Sequence, residues 1–262
     1  MKNCNRFIRN SDFPEAMRIR DENGWIQKYP HKSSLGNHWN RGEALLKWVF
    51  ALRNFGIGES GKKVIDLGTN NGCVPHVVAD WGNDTTAMDY INPDFPPPPS
   101  SCKMLVADAF KWLPTLEEES LDVVFDICAV HLFDITHDDE IGNYGLFNIG
   151  KLVHRVLKKG GRFIISSDAG DEDHGEFSNA ETFIKMIEKS GLKLTSPFDY
   201  TVDDDIFLND SDEVGKLDDE QLEILKKELM EVCGKYGVTL ADARINVVKV
   251  PYKVVSLVFE KL

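Results

Sequence analysis

The chain has 262 residues, a formal net charge of −13 at pH 7, and 42% hydrophobic and 10% aromatic residues. This composition supports a sizeable core and excludes an intrinsically disordered chain. The negative charge disfavours nucleic acid as a partner, because a phosphate backbone is usually met by clustered lysine and arginine. No apolar run approaches the ~20 residues of a membrane helix, and none follows the first residues as in a signal peptide. We therefore expect a cytoplasmic protein with no membrane partner.

The predicted elements alternate between short apolar runs and amphipathic stretches, which is typical of βα units around a parallel sheet. In chain order they are a helix at 42–55, strands at 63–67, 85–89, 103–106, 122–128 and 162–167, helices after the first and fourth strands, and a closing strand at 254–259. The paired glycines Gly160 and Gly161 are expected to end the helix that precedes the fifth strand. The sequence therefore predicts one α/β domain.

Two regions lie outside this alternating pattern. Residues 1–40 carry tryptophans and histidines without clear periodicity. Together with the helix up to residue 58 they are predicted to form an N-terminal helical segment that serves as a lid. Residues 200–250 open with acidic residues and include a predicted helix over 218–236, so they are interpreted as an insertion. Residues 60–200 remain as the cofactor-binding core, and 251–262 as the final strand.

The cysteines predict no disulfide framework. The five of them are scattered along the chain, and no two form a C-x-x-C pair. They are Cys4, Cys73, Cys102, Cys128 and Cys233. We expect reduced thiols in a reducing compartment.

A glycine turn follows the first predicted strand of the core. Residues 66–72 read DLGTNNG, between an apolar strand and a helix, which is where a nucleotide-binding turn belongs. Gly68 and Gly72 allow close approach of a ligand to the backbone. An NAD-type G-x-G-x-x-G fingerprint would need glycine at the positions held by Asn70 and Cys73, so that interpretation fails.

The turn resembles the first motif of class I S-adenosylmethionine-dependent methyltransferases, an acidic residue followed by glycines at alternate positions. Asn70 replaces the middle glycine, and asparagine tolerates the left-handed dihedrals that such a turn needs. The resemblance continues in order through about residues 60–195. It implies a Rossmann-like sheet of seven mostly parallel strands, with helices on both faces and one antiparallel strand near the C-terminus. It also implies that the chain is an enzyme with S-adenosyl-L-methionine as its cofactor.

The same resemblance assigns the cofactor-binding residues. Asp89, at the end of the second strand, corresponds to the carboxylate that accepts both ribose hydroxyls. Asp108 corresponds to the residue that accepts the adenine amino hydrogens, although an aspartate there also serves as a helix N-cap. Asp126 lies on the fourth strand, which resembles the family's strand beside the transferred methyl group. The full predicted cofactor set is Asp66, Gly68, Asn70, Gly72, Asp89, Asp108, Ala109 and Asp126.

His131, just past the fourth strand, is the first candidate for the catalytic base, because an imidazole titrates near working pH. His31 and His38 on the N-terminal segment are the alternatives. Some sugar and catechol O-methyltransferases of the family that the chain resembles hold Mg²⁺ with carboxylates from the loops after strands four and five, where this sequence has Asp134 and Asp168 among other acidic residues. Acidic loops are usually solvated, so no metal ligand is predicted.

The predicted reaction is O-methylation of a small polar metabolite, with a sugar or nucleotide-linked sugar of a surface-polysaccharide pathway as the narrower expectation. The alternatives are a non-catalytic nucleotide-binding protein and an NAD(P)-dependent oxidoreductase. The sequence leaves the acceptor atom and the oligomeric state open.

Overall fold

The computed structural model describes residues 5–29, 42–70, 72–91, 100–129, 144–170, 179–201, 206–208, 227, 247–249 and 252–262. Its strands are β1 (Arg6–Phe7), β2 (Lys63–Leu67), β3 (Asp84–Asp89), β4 (Lys103–Val106), β5 (Leu121–Ile127), β6 (Leu157–Gly170), β7 (Lys193–Leu194), β8 (Ile206–Leu208), β9 (Val247–Lys249) and β10 (Tyr252–Glu260). Its α-helices are α1 (Phe13–Glu22), α2 (Trp25–Lys28), α3 (Gly42–Phe55), α4 (Val74–Asp80), α5 (Ala109–Trp112), α6 (Tyr144–Val156) and α7 (Ala180–Lys189).

The strands form an eight-stranded sheet in the order β1-β10-β6-β5-β2-β3-β4, with β7 also paired to β10. Five neighbouring strands of this sheet run parallel, in the order β4, β3, β2, β5 and β6. Strand β10 lies antiparallel to β6. The expected Rossmann-like α/β fold is therefore confirmed, and β10 is the antiparallel strand near the C-terminus. The sheet has one strand more than the predicted seven, because β1 and β7 both pair with β10. Strands β8 and β9 pair separately with each other.

Alternating side chains give the sheet two apolar faces, each covered by helices. Along β2, Val64 packs into the core beneath α1, α3 and α4, whereas Ile65 packs into the core beneath α5, α6 and α7. The helices therefore enclose the described part of the sheet on both faces.

The N-terminal helical segment contains two helices whose bounds the sequence does not predict. Residues 13–28, which show no clear periodicity in the sequence, form α1 and α2. Phe13 and Trp25, each 2% exposed, anchor them in the core with α3. Short helices of this kind are stabilised by tertiary packing rather than by local propensity, so periodicity does not reveal them.

The glycine pair also acts differently from the prediction. Helix α6 ends at Val156, and Gly160 and Gly161 lie within β6. Residues 158–161 form an irregularity there, since Leu121 pairs with Leu157 but Val123 pairs with Arg162. Gly160 adopts a φ of 74°, which explains the glycine at this position.

None of the helices among the described residues is long and apolar enough to span a membrane. The helix predicted over 218–236 falls outside the described residues except at residue 227, which is helical.

Candidate active site

A cavity of about 550 Å³ opens at the carboxyl ends of β2 to β5. Ligands of open parallel sheets gather at this edge, and the volume is within the range of small-molecule sites. Its lining residues are Gly68, Asn70, Met88, Asp89, Tyr90, Ile91, Ala107, Asp108, Ala109, Phe110, Lys111, Cys128 and Ala129. Five of the eight predicted cofactor residues are in this lining.

The glycine turn after β2 has the conformation that its sequence predicts. Gly68 has a φ of 65°, and a Cβ added there would lie 2.2 Å from the Cβ of Ala129. Asn70 also has a positive φ, 45°, so asparagine here adopts the left-handed conformation as expected. The backbone N–H of Thr69 donates to the carbonyl of Met88 at 3.0 Å, which fixes the turn against β3.

Asp89 ends β3 and connects two loops across the cavity. Its Oδ2 accepts the backbone N–H of Asn70 at 2.6 Å, and its Oδ1 accepts that of Ile91 at 3.1 Å. An ionised carboxylate has about four acceptor sites, so these bonds leave capacity for ligand hydroxyls. The side chain is only half-buried, which keeps it accessible from the cavity.

Asp108 combines the two roles considered for it. Its Oδ1 accepts the backbone N–H of Phe110 at 2.9 Å, so it is the N-cap of α5. Its Oδ2 lies 3.2 Å from the Nζ of Lys111, and the residue also lines the cavity. Ala109 lies beside it, 7% exposed, and leaves room for a flat ring. The capping contact therefore orients this carboxylate at the cavity wall.

The other three predicted cofactor residues, Asp66, Gly72 and Asp126, are not among the described residues that line the cavity. Asp126 is fully buried, and its Oδ1 accepts the backbone N–H of Ala129 at 3.1 Å, which shapes the turn after β5. At Gly72 a Cβ would lie 2.8 Å from the carbonyl oxygen of Thr69. These residues shape the turns that form the wall.

Asp66 is 1% exposed, and the hydroxyl of Thr69 donates to its Oδ2 at 2.7 Å. Its Oδ1 has no hydrogen-bond partner among the described residues. Burial raises the pKa of Asp66 to about 7, the Thr69 hydrogen bond opposes this shift, and the charge of Asp89 adds to it. Asp66 therefore titrates near neutral pH beneath the turn.

The sequence does not predict that Lys47, Cys128 and Asp168 lie together at the β5–β6 end of the cavity. Lys47 on α3 and Asp168 on β6 are 3% and 6% exposed, and their Nζ and Oδ1 atoms lie 2.6 Å apart. Cys128, directly after β5, lines the cavity and contacts both. The position of Cys128 at the carboxyl end of a core strand is a signal in the sequence. Lys47 gives none, since a lysine in an amphipathic helix normally faces solvent.

The predicted catalytic base, His131, lies outside the described residues, as do His31, His38 and Asp134. Within the described ranges no group of three histidine, cysteine or acidic side chains is arranged to hold a metal ion. Asp168, considered above for Mg²⁺, instead pairs with Lys47.

No protein-family model and no curated protein matches the sequence. Among solved structures, the YcgJ protein from Bacillus subtilis is 14% identical over 82% of this chain and 97% of its own, with a TM-score of 0.52. The [4+2]-cyclase SpnF is 11% identical over 94% of this chain and 96% of its own, also with a TM-score of 0.52. A TehB-like S-adenosylmethionine-dependent methyltransferase from Corynebacterium glutamicum is 15% identical over 95% of this chain and 99% of its own, at 0.45. At such identities the likeness to the first two structures, whose TM-scores exceed 0.5, establishes a shared fold alone.

Proposed function

We propose that the chain is an S-adenosylmethionine-dependent methyltransferase that acts on a small polar metabolite. One observation carries the proposal: Asp89 and Asp108 line a single cavity with the glycine turn, on the strands where the resemblance expects ribose and adenine contacts. Both carboxylates are positioned by backbone N–H groups, so a ligand meets them already oriented.

The described residues fit this cofactor. Asp89 would accept the ribose hydroxyls, Asp108 the adenine amino group, and Ala109 would pack on the ring. Gly68 and Asn70 would leave space for the methionine portion, because neither places a bulky side chain over the turn. The bound cofactor supplies a methyl group on a sulfonium. The chain must position the acceptor in line with that methyl group and, for an oxygen acceptor, provide a base that accepts its proton.

The acceptor would enter from the β5 side of the cavity, beside Cys128 and Ala129. A small polar acceptor agrees with the net charge of −13, which disfavours nucleic acid. O-methylation of a sugar or nucleotide-linked sugar is the narrower form of the proposal. The likeness to a [4+2]-cyclase shows that this fold also carries other chemistry, so turnover needs its own test.

Isothermal titration with S-adenosylmethionine, S-adenosylhomocysteine and NADH tests the cofactor. We expect both sulfur ligands to bind and NADH not to bind. Asp89→Ala should weaken binding by about tenfold or more, since each hydrogen bond to a charged acceptor contributes roughly 1.5–3 kcal/mol. The matched control is Asp84→Ala, an exposed aspartate at the opposite end of β3, which should leave affinity unchanged.

Thermal unfolding must show that Asp89→Ala remains folded, because this carboxylate also holds the turn. Binding of NADH in place of S-adenosylmethionine would support the oxidoreductase instead. Methyl transfer is then measured against a metabolite panel with a radiolabelled methyl donor. Cofactor binding without transfer to any acceptor would favour a non-catalytic binding protein.

A further inference from the structure

Lys47, Cys128 and Asp168 come from three separate elements and form a closed triangle of contacts, here called the thiol cluster. The Nζ of Lys47 lies 3.0 Å from the Sγ of Cys128 and 2.6 Å from Oδ1 of Asp168. The Sγ of Cys128 lies 3.2 Å from Oδ2 of Asp168. Both charged groups are more than nine-tenths buried, whereas Cys128 is partly exposed and is one of the residues that line the cavity.

The backbone holds Cys128 in an unusual conformation. Its φ is 68°, in the left-handed region that residues with a Cβ rarely adopt. The N–H of Cys128 donates to the carbonyl of Ser166 at 2.9 Å, and the next N–H donates to Asp126. These hydrogen bonds on both sides keep the turn in place, and the side chain is held between the buried charges and the cavity.

The chemistry of the cluster favours a nucleophilic thiol. A neighbouring ammonium group stabilises the thiolate, which is the reactive form of cysteine. Asp168 provides an acceptor for the thiol proton within hydrogen-bond distance. We infer that Cys128 is a covalent modification site for small electrophiles, and that its alkylation closes the cavity to S-adenosylmethionine. The second half of this inference rests on the proposed function.

With iodoacetamide the step is a substitution. The sulfur of Cys128 forms a bond to the methylene carbon, the carbon–iodine bond breaks, and iodide leaves with the electron pair. The thiol proton passes to Asp168 and from there to solvent. The added carboxamidomethyl group would then take up space in the cavity that Cys128 lines together with Gly68 and Ala129.

The first experiment measures alkylation of each cysteine by peptide mass spectrometry over time. Cys102 is the control within the same chain, because it is also partly exposed and burial raises its pKa to about 12. We expect Cys128 to react at least tenfold faster than Cys102. Lys47→Met and Asp168→Asn should each slow Cys128 at least tenfold and leave the rate at Cys102 unchanged.

A Cys128 rate no higher than that of Cys102 in the wild-type protein would overturn the inference. The wild-type comparison does not depend on the variants, and Lys47→Arg, which retains the cation, should preserve the fast reaction. Cys73 is fully buried in the wild type, so alkylation of Cys73 in a variant shows that the variant has unfolded. In that case the inference is judged on the rates at Cys128 in the wild type and in Lys47→Arg.

The second experiment tests closure of the cavity. Saturating S-adenosylhomocysteine should protect Cys128 at least tenfold, and alkylated protein should lose S-adenosylmethionine binding in calorimetry. The control is protein alkylated while S-adenosylhomocysteine is bound and then dialysed, which should still bind. If protein alkylated at Cys128 still binds S-adenosylmethionine fully, the inference that alkylation closes the cavity is overturned. A reactive Cys128 in protein that never binds S-adenosylmethionine would instead contradict the proposed function and leave the thiol site standing.

Discussion

The two ends of the cavity hold their charged groups in different ways. At the ends of β2, β3 and β4, the carboxylates of Asp89 and Asp108 accept backbone N–H groups and remain partly exposed. At the ends of β5 and β6, Lys47 and Asp168 are buried and neutralise each other. The first arrangement leaves acceptor capacity for a ligand. The second is stable only while both partners are present, because an isolated buried charge is costly.

The largest effect should therefore come from Lys47→Met, which leaves Asp168 buried without its cation. We expect the free energy of unfolding to fall by about 3–5 kcal/mol. The matched control is Lys103→Met, because Lys103 and Asp84 are also 2.6 Å apart, but with side chains 67% and 52% exposed. That loss should be below about 1 kcal/mol.

Urea denaturation of the wild type and both variants measures the difference. The double variant Lys47→Met with Asp168→Asn should recover part of the loss, since it removes the uncompensated charge. Equal losses for Lys47→Met and Lys103→Met would mean that burial does not distinguish the two ion pairs, and would contradict the contrast drawn above.

The sequence predicted the first end of the cavity better than the second. Gly68, Asn70 and Asp89 occupy neighbouring positions around two consecutive strand ends, so the order of motifs along the chain places them together. Local rules sufficed there, because turn conformation depends on residue type and asparagine tolerates a positive φ. The thiol cluster joins positions 47, 128 and 168, and no local rule connects a lysine on α3 with the ends of β5 and β6.

Contacts between distant residues also explain where the structure differs from the predicted elements. The five parallel strands follow from apolar periodicity, and all of them form near their predicted positions. The sequence predicts that Gly160 and Gly161 end a helix, yet the N–H of Gly160 donates to the carbonyl of Lys261 near the C-terminus. That contact spans a large sequence separation, so the glycine pair alone could not reveal it. The bounds of α1 and α2 could not be predicted for the same reason, since their anchoring contacts are tertiary.

The next effect in size concerns the contact between the two ends, where Gly68 meets Ala129. Gly68→Ala should lower the free energy of unfolding by about 2–4 kcal/mol, because it combines a positive φ with a Cβ that would lie 2.2 Å from that of Ala129. Gly58→Ala is the matched control, with a φ of 82° but no atom within 4 Å of the added Cβ. It should lose only about 1–2 kcal/mol, the conformational part.

Adding Ala129→Gly to Gly68→Ala separates the two contributions, since it removes the colliding methyl group. We expect the double variant to recover stability relative to Gly68→Ala. If Gly68→Ala and Gly58→Ala lose the same amount in urea denaturation, the close approach between the two turns is not a constraint on position 68.

The smallest effect depends on pH and comes from Asp66 beneath the turn. Burial raises its pKa from the ordinary 3.8 to about 7, so the folded state retains a proton that the unfolded chain releases above about pH 4. This contribution to stability is complete below pH 4 and is lost as the pH rises through 7. Between pH 5.5 and 8 the loss should be about 2 kcal/mol, at ~1.4 kcal/mol per pKa unit.

Asp66→Asn checks this sign, because the amide resembles the protonated acid and does not titrate. Other titrating groups contribute equally to the unfolding free energies of variant and wild type, so their contributions cancel in the difference. One of them is His76, because burial lowers its pKa to about 4. We expect Asp66→Asn to gain stability relative to wild type as the pH rises from 5.5 to 8. Parallel curves would show that Asp66 keeps an ordinary pKa. In that case the cost of a buried charge would be confined to the β5–β6 end of the cavity.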